Sequence, residues 1–116
     1  MPNRLKLLPD NEPGDKDSYE EFDDMSVGRQ HALLTWIREC VVPQKNINRK
    51  SCSYSLKHDL EYVTGLYVTN GEFRGAMLYM QYAPANPHER FWNWRIKLTA
   101  AAKAAVKKAR AGGEFA

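Results

Sequence analysis

The feature that most constrains this chain is a helix stop followed within a few residues by a helix start: Thr64-Gly65, then Thr69-Asn70-Gly71-Glu72. Glycine tolerates the left-handed backbone that ends many helices. A threonine three residues ahead of a glutamate matches the capping box, in which the hydroxyl accepts from the third helical amide and the carboxylate reaches back. Two helices must therefore meet across a tight turn. The first takes its apolar face from Leu56, Leu60 and Val63 at i, i+4 and i+7, and begins near Ser51 or Ser53, where a serine hydroxyl can accept from the free amides of the first turn. The second has Phe73, Ala76, Met77 and Met80 on one face and ends near Tyr82, since Pro84 and Pro87 forbid regular continuation. Between them Leu66-Tyr67-Val68 is a short apolar run that pairs as a strand or plugs the core.

The flanks extend this pattern. Val27, Leu33, Leu34, Ile37, Cys40 and Val41 recur at spacings of three and four, which predicts an earlier helix from about Val27 to Val41, stopping before Pro43. The polar and basic stretch Gln44 to Lys50 reads as a connecting loop. After the loop from Pro84 to Arg90, alternation in Phe91-Trp92-Asn93-Trp94-Arg95-Ile96-Lys97 sends Trp92, Trp94 and Ile96 to one side, the best strand in the chain. Trp94 is expected in the core, with Trp92 or Phe91 partly exposed. Leu98 to Ala111 is alanine and lysine with one valine, which predicts a frayed basic helix with almost no apolar stripe to dock it.

The reading is a mostly α (α+β) domain of winged helix-turn-helix type. Residues 1–25 form a disordered acidic tail, 26–97 the domain, and 98–116 a basic C-terminal helix and tail. Prolines and acids without hydrophobic period make the N-terminal stretch unable to offset ordering entropy; Tyr19 and Phe22 are its one candidate anchor onto the domain. A chain of 116 residues with 43% hydrophobic content suffices for one small core.

Charge is unevenly spread. Residues 1–24 hold eight acids against three bases, and residues 25–116 fourteen bases against six acids. A basic domain favours anionic partners, and its acidic arm can compete with them for the same surface. No run reaches the roughly 18 apolar residues of a membrane span, and the N-terminus lacks the apolar middle of a signal peptide, so the expected location is cytoplasmic. Cys40 and Cys52 lack Cys-x-x-Cys spacing and read as reduced small hydrophobes.

Two helices across a tight turn are the layout that presents the second helix to a DNA major groove. Off the apolar stripe of that helix lie Asn70, Glu72, Arg74, Tyr79 and Gln81. Arginine pairs with guanine and amides with adenine, while Glu72 is better explained by capping. Arg74 is the only cation there, so base readout and a purely structural helix pair carry even weight. Lys45, Arg49, Lys50 and Lys57 before the helix, and Arg90, Arg95 and Lys97 after it, are candidate phosphate contacts. Against this stands the ordinary reading of charge clusters as solvated surface; Lys103, Lys107, Lys108 and Arg110 tip the balance toward function. Trp92 and Trp94 with Tyr79 and Tyr82 are a possible stacking platform for single-stranded bases, though core is the stronger reading.

Other chemistry finds little support. His31, His58 and His88 lack the spacing and cysteine neighbours of a zinc site. Ser55, His58 and Asp59 are the right residue types for nucleophilic catalysis but have no glycine elbow or oxyanion hole. Gly65, Gly71 and Gly75 do not form a phosphate loop after a strand. No enzyme, cofactor or metal is expected.

Ser53-Tyr54-Ser55-Leu56-Lys57-His58, Tyr67-Val68-Thr69-Asn70-Gly71-Glu72-Phe73, Gly75-Ala76-Met77 and Asn93-Trp94-Arg95-Ile96 together resemble a family of small uncharacterised proteins carried by bacterial phages, plasmids and other mobile elements. The likeness covers roughly Ile47 to Ile96, and the family pattern has glycine at the position of Ser55. It implies a mobile-element context and no assigned activity. The expected function is nucleic-acid binding, to duplex DNA, by a small regulator in which Arg74, Tyr79 and Gln81 face bases while Lys45, Arg49, Lys50, Lys57, Arg90 and Arg95 contact phosphates. The alternative is a protein-binding module that disables or modulates a host complex, with the helix-turn-helix as scaffold. A buried second helix would favour the latter.

Overall fold

The computed structural model describes residues 18–89 and 92–112, a mixed α+β fold. A 3-10 helix (Tyr19–Asp24) leads into α1 (Val27–Cys40), β1 (Val41–Cys52), α2 (Ser53–Thr64), α3 (Asn70–Tyr79), β2 (Asn93–Leu98) and α4 (Ala100–Gly112). β1 and β2 pair antiparallel as a two-stranded sheet. β2 runs into α4 through Thr99 alone, not into a returning strand.

The turn chemistry forms as the sequence predicts. Gly65 ends α2 at φ 77°, and Thr69 caps α3, accepting from Glu72 N–H at 3.0 Å while Glu72 Oε1 accepts from Thr69 N–H at 2.9 Å. Leu66-Tyr67-Val68 makes no strand; Val68 plugs the core instead. α2 starts at Ser53, as expected, but its cap is a correction. Cys52 occupies the cap position without a side-chain cap hydrogen bond, and Ser53 is buried, its Oγ accepting from Trp94 Nε1 at 2.9 Å. That serine satisfies the one polar atom of a fully buried indole, which an unpaired N–H in the core would otherwise penalise. α3 ends at Tyr79, short of Tyr82, because Gln81 turns left-handed at φ 74°.

Three larger departures share a cause: each element is held by contacts distant in sequence. The stretch 44–50 is not a loop but lies within β1. Pairing there is broken twice, between Pro43 and Asn48 and between Asn48 and Cys52, so β1 bulges against the shorter β2. Asn48 Nδ2 bridges the irregularity by donating to Ile96 C=O at 3.2 Å. Residues 18–25, expected as part of a disordered tail, belong to the core: Tyr19, Phe22 and Met25 are buried. The 3-10 helix lies along α3 where Gly71 and Gly75 leave room, and a Cβ on Gly75 would collide with Tyr19 C=O and Phe22 Cβ. Glu21 Oε1 also accepts from Thr69 Oγ1 at 2.6 Å, tying this strap to the α3 cap. Residues 1–17 of the expected tail lie outside the described residues.

The C-terminal helix is likewise docked, where fraying was expected. Ala102 and Val106, one turn apart, are buried; Arg110 donates to Asp59 Oδ1 of α2 at 2.7 Å and lies over the Tyr62 ring at 4.4 Å. Small residues suffice here because α2 approaches closely enough to need no larger stripe. In β2, Trp94, Ile96 and Leu98 turn inward as alternation predicts. Trp92 joins them in the core, which leaves the expected partial exposure of Trp92 or Phe91 to Phe91, outside the described residues. No helix among the described residues is long and apolar enough to cross a membrane.

Candidate nucleic-acid interface

The residues expected to face a nucleic acid separate into two groups. Those of α3 are largely inside. Arg74 is 5% exposed, its guanidinium stacked 4.6 Å from the Trp92 ring centre, and Gly71, Phe73, Gly75, Ala76, Met77 and Leu78 are buried with it. The strap covers one side of the helix and the α1 side packs Phe73 against Trp36, ring centres 6.4 Å apart. A helix enclosed in this way cannot lie in a groove about 12 Å wide. Only the C-terminal end remains outside: Tyr79 is exposed, with its ring 5.8 Å from Phe22, and Gln81 follows in the turn. Lys57 is also withdrawn, 7% exposed, its amine held between the rings of Tyr54 and Tyr67 at 5.2 and 5.1 Å.

The second group is on the sheet and is exposed. Lys45 sits in the first bulge of β1 and Arg49 and Lys50 in the second, so each break in pairing carries its strand's cations outward. Bulges re-aim side chains in this way, and charges on an unpaired edge also deter edge-to-edge association. Across the ribbon, Arg95 and Lys97 alternate with the buried Trp94, Ile96 and Leu98 and so share the outer face of β2. Neither strand contains Asp or Glu. α4 extends the pattern with exposed Lys103, Lys107 and Lys108, again without an acid; Arg110 is engaged by Asp59. Arg90 lies outside the described residues.

The described acids lie elsewhere. Glu20, Asp23 and Asp24 are exposed on the strap, and Glu72 is committed to the cap and to Arg29, which grips it through both guanidinium nitrogens at 3.2 and 3.3 Å. The acids of the strap are thus fixed beside α3. Burial, with Glu39 contributing, raises the Cys40 thiol, and burial raises the Tyr82 phenol, leaving both neutral at pH 7. His58 Nδ1 meets Glu61 Oε1 at 3.3 Å on α2, and the Ser55 hydroxyl donates to Cys52 C=O.

The ribbon's cations were among those singled out in the sequence; what the sequence hid was that their segment is a bulged strand. The stacking set proposed from Trp92 and Trp94 is excluded by burial. Among the described residues the exposed aromatic ones are instead Tyr54 and Tyr67, with Tyr79. Comparison with protein-family models, curated proteins and solved structures gives no match.

Proposed function

We propose that this protein binds nucleic acid through the phosphate backbone, using the bulged ribbon and the lysines of α4. The observation that carries this reading is the exposure of Lys45, Arg49, Lys50, Arg95 and Lys97 on two strands that contain no acid. Cations without compensating carboxylates concentrate positive potential, which attracts a polyanion and releases its counterions on contact. The helix-turn-helix arrangement of α2 and α3 acts in this reading as the scaffold that holds the ribbon, without a wing and without a recognition helix. Regulation in a mobile-element context fits such a binder, which occupies nucleic acid without reading sequence from α3.

Duplex DNA is the first ligand to test. The logarithm of the binding constant should fall linearly with the logarithm of salt concentration, with a slope of about −0.9 for each phosphate neutralised. Absence of affinity at low salt removes the reading. A second reading, a module that binds a host protein, draws on the enclosure of α3, which leaves the helix pair as structure. Partners recovered from a host lysate after nuclease treatment favour it; loss of every partner on that treatment opposes it.

A further inference from the structure

Tyr54 and Tyr67 are 52% and 58% exposed, unusual for rings so firmly held. Between them lies the amine of Lys57, 5.2 Å from one ring centre and 5.1 Å from the other. A desolvated ammonium is attracted to an aromatic face, so this one side chain holds the spacing of both rings. Further contacts pin each. His58 meets the Tyr54 ring edge to face at 4.6 Å. The Tyr67 backbone is fixed by Arg29, whose Nη2 donates to its C=O at 2.7 Å, and by the Thr64 hydroxyl, which accepts from Leu66 N–H at 3.1 Å in the same turn. The amine and, for Tyr54, the His58 ring take part of each ring, and about half of each residue stays exposed. Aromatic surface that is already ordered binds without the entropy cost of ordering it.

Charge beside the rings selects the ligand. Tyr54 follows Lys50 by four residues and Arg49 by five, so the second bulge of β1 ends within about 14 to 18 Å of chain from the ring. The carboxylates closest in sequence to the rings are engaged elsewhere: Asp59 by Arg110, Glu72 by Arg29 and Glu61 by His58. Exposed rings beside uncompensated cations are the combination that receives unpaired nucleobases, which stack on an aromatic face of any kind while their phosphates meet the cations. We propose that Tyr54 and Tyr67, set apart by Lys57, form a stacking platform for unpaired bases at the end of the basic ribbon, so that the preferred ligand is nucleic acid with a single-stranded stretch. This rests on the phosphate-binding reading of the ribbon and deepens it.

The test uses the full chain and three probes of equal length: an oligothymidine strand, the same strand without bases, and a blunt duplex. The oligothymidine strand should bind more tightly than the abasic one, whose phosphates are the same. Tyr54→Ala and Tyr67→Ala should each weaken oligothymidine binding on the order of tenfold, leave duplex and abasic binding unchanged, and retain wild-type circular dichroism, both side chains being on the surface. Tyr54→Phe and Tyr67→Phe, which keep the ring, should bind as wild type. Equal loss for all three probes, or no loss for any, overturns the platform while the ribbon reading stands on its salt dependence. Failure of every probe to bind at low salt overturns both.

Discussion

α3 and the β1–β2 ribbon differ in what their charged residues do. On α3 the single arginine is stacked against Trp92 inside the core, and a strap from the N-terminal side fills the glycine positions of the helix. On the ribbon every cation is exposed and none has a carboxylate on its own strand. A helix-turn-helix arrangement in sequence thus says little about which surface meets a partner. Here the helix that such a layout would offer to DNA is a packing element, and the exposed cations lie on the ribbon.

Substitutions under the strap should have the largest effect on stability. Phe22→Ala should lower stability by about 3 to 5 kcal/mol, the range for removing a buried phenylalanine, read by chemical denaturation. A smaller loss would mean that α3 is not enclosed as described. Gly75→Ala places a methyl group against Tyr19 C=O and Phe22; overpacking of this kind should cost about 1 to 3 kcal/mol, visible as a lower midpoint in the same titration. Thr69→Ala removes both the hydroxyl that caps α3 and the donor to Glu21, and should cost about 1 kcal/mol. Arg110→Ala should be mildest, below about 1 kcal/mol, because its pair with Asp59 is partly solvated. A large effect there would show that α4 depends on that pair and not on Ala102 and Val106.

These contrasts explain how much was readable from the chain alone. The caps at Gly65 and at Thr69 with Glu72 were legible because capping is decided within three or four residues, and the inward alternation of Trp94 and Ile96 because a strand's two faces need only its own sequence. β1 was not legible. Gln44 to Lys50 has neither alternation nor β-branched enrichment except Ile47, and it is a strand because β2 offers it hydrogen bonds from some fifty residues away, as Asn48 to Ile96 illustrates. The strap is only partly legible: Tyr19 and Phe22 mark an anchor, but its seat is Gly71 and Gly75, one turn apart on α3, which admit Ser18 C=O with Glu21 and Tyr19 C=O with Phe22. Of the candidate site, Lys45, Arg49, Lys50 and Arg95 are exposed on the ribbon, whereas Arg74 and Lys57 were chosen by charge type and lie inside. Composition reports a cation; only the packing reports whether water, or a phosphate, can reach it.

The most direct test of the central claim compares the salt dependence of nucleic-acid binding in two variants that leave the core alone. Replacing Lys45, Arg49 and Lys50 with alanine should make the slope of log affinity against log salt shallower by about 2.7 if each meets one phosphate, with stability changed by less than about 0.5 kcal/mol per site. Replacing Tyr79 and Gln81, the exposed end of α3, should leave that slope and the affinity at wild-type values. The opposite pattern, an unchanged slope in the ribbon variant and lost binding in the α3 variant, would contradict the account.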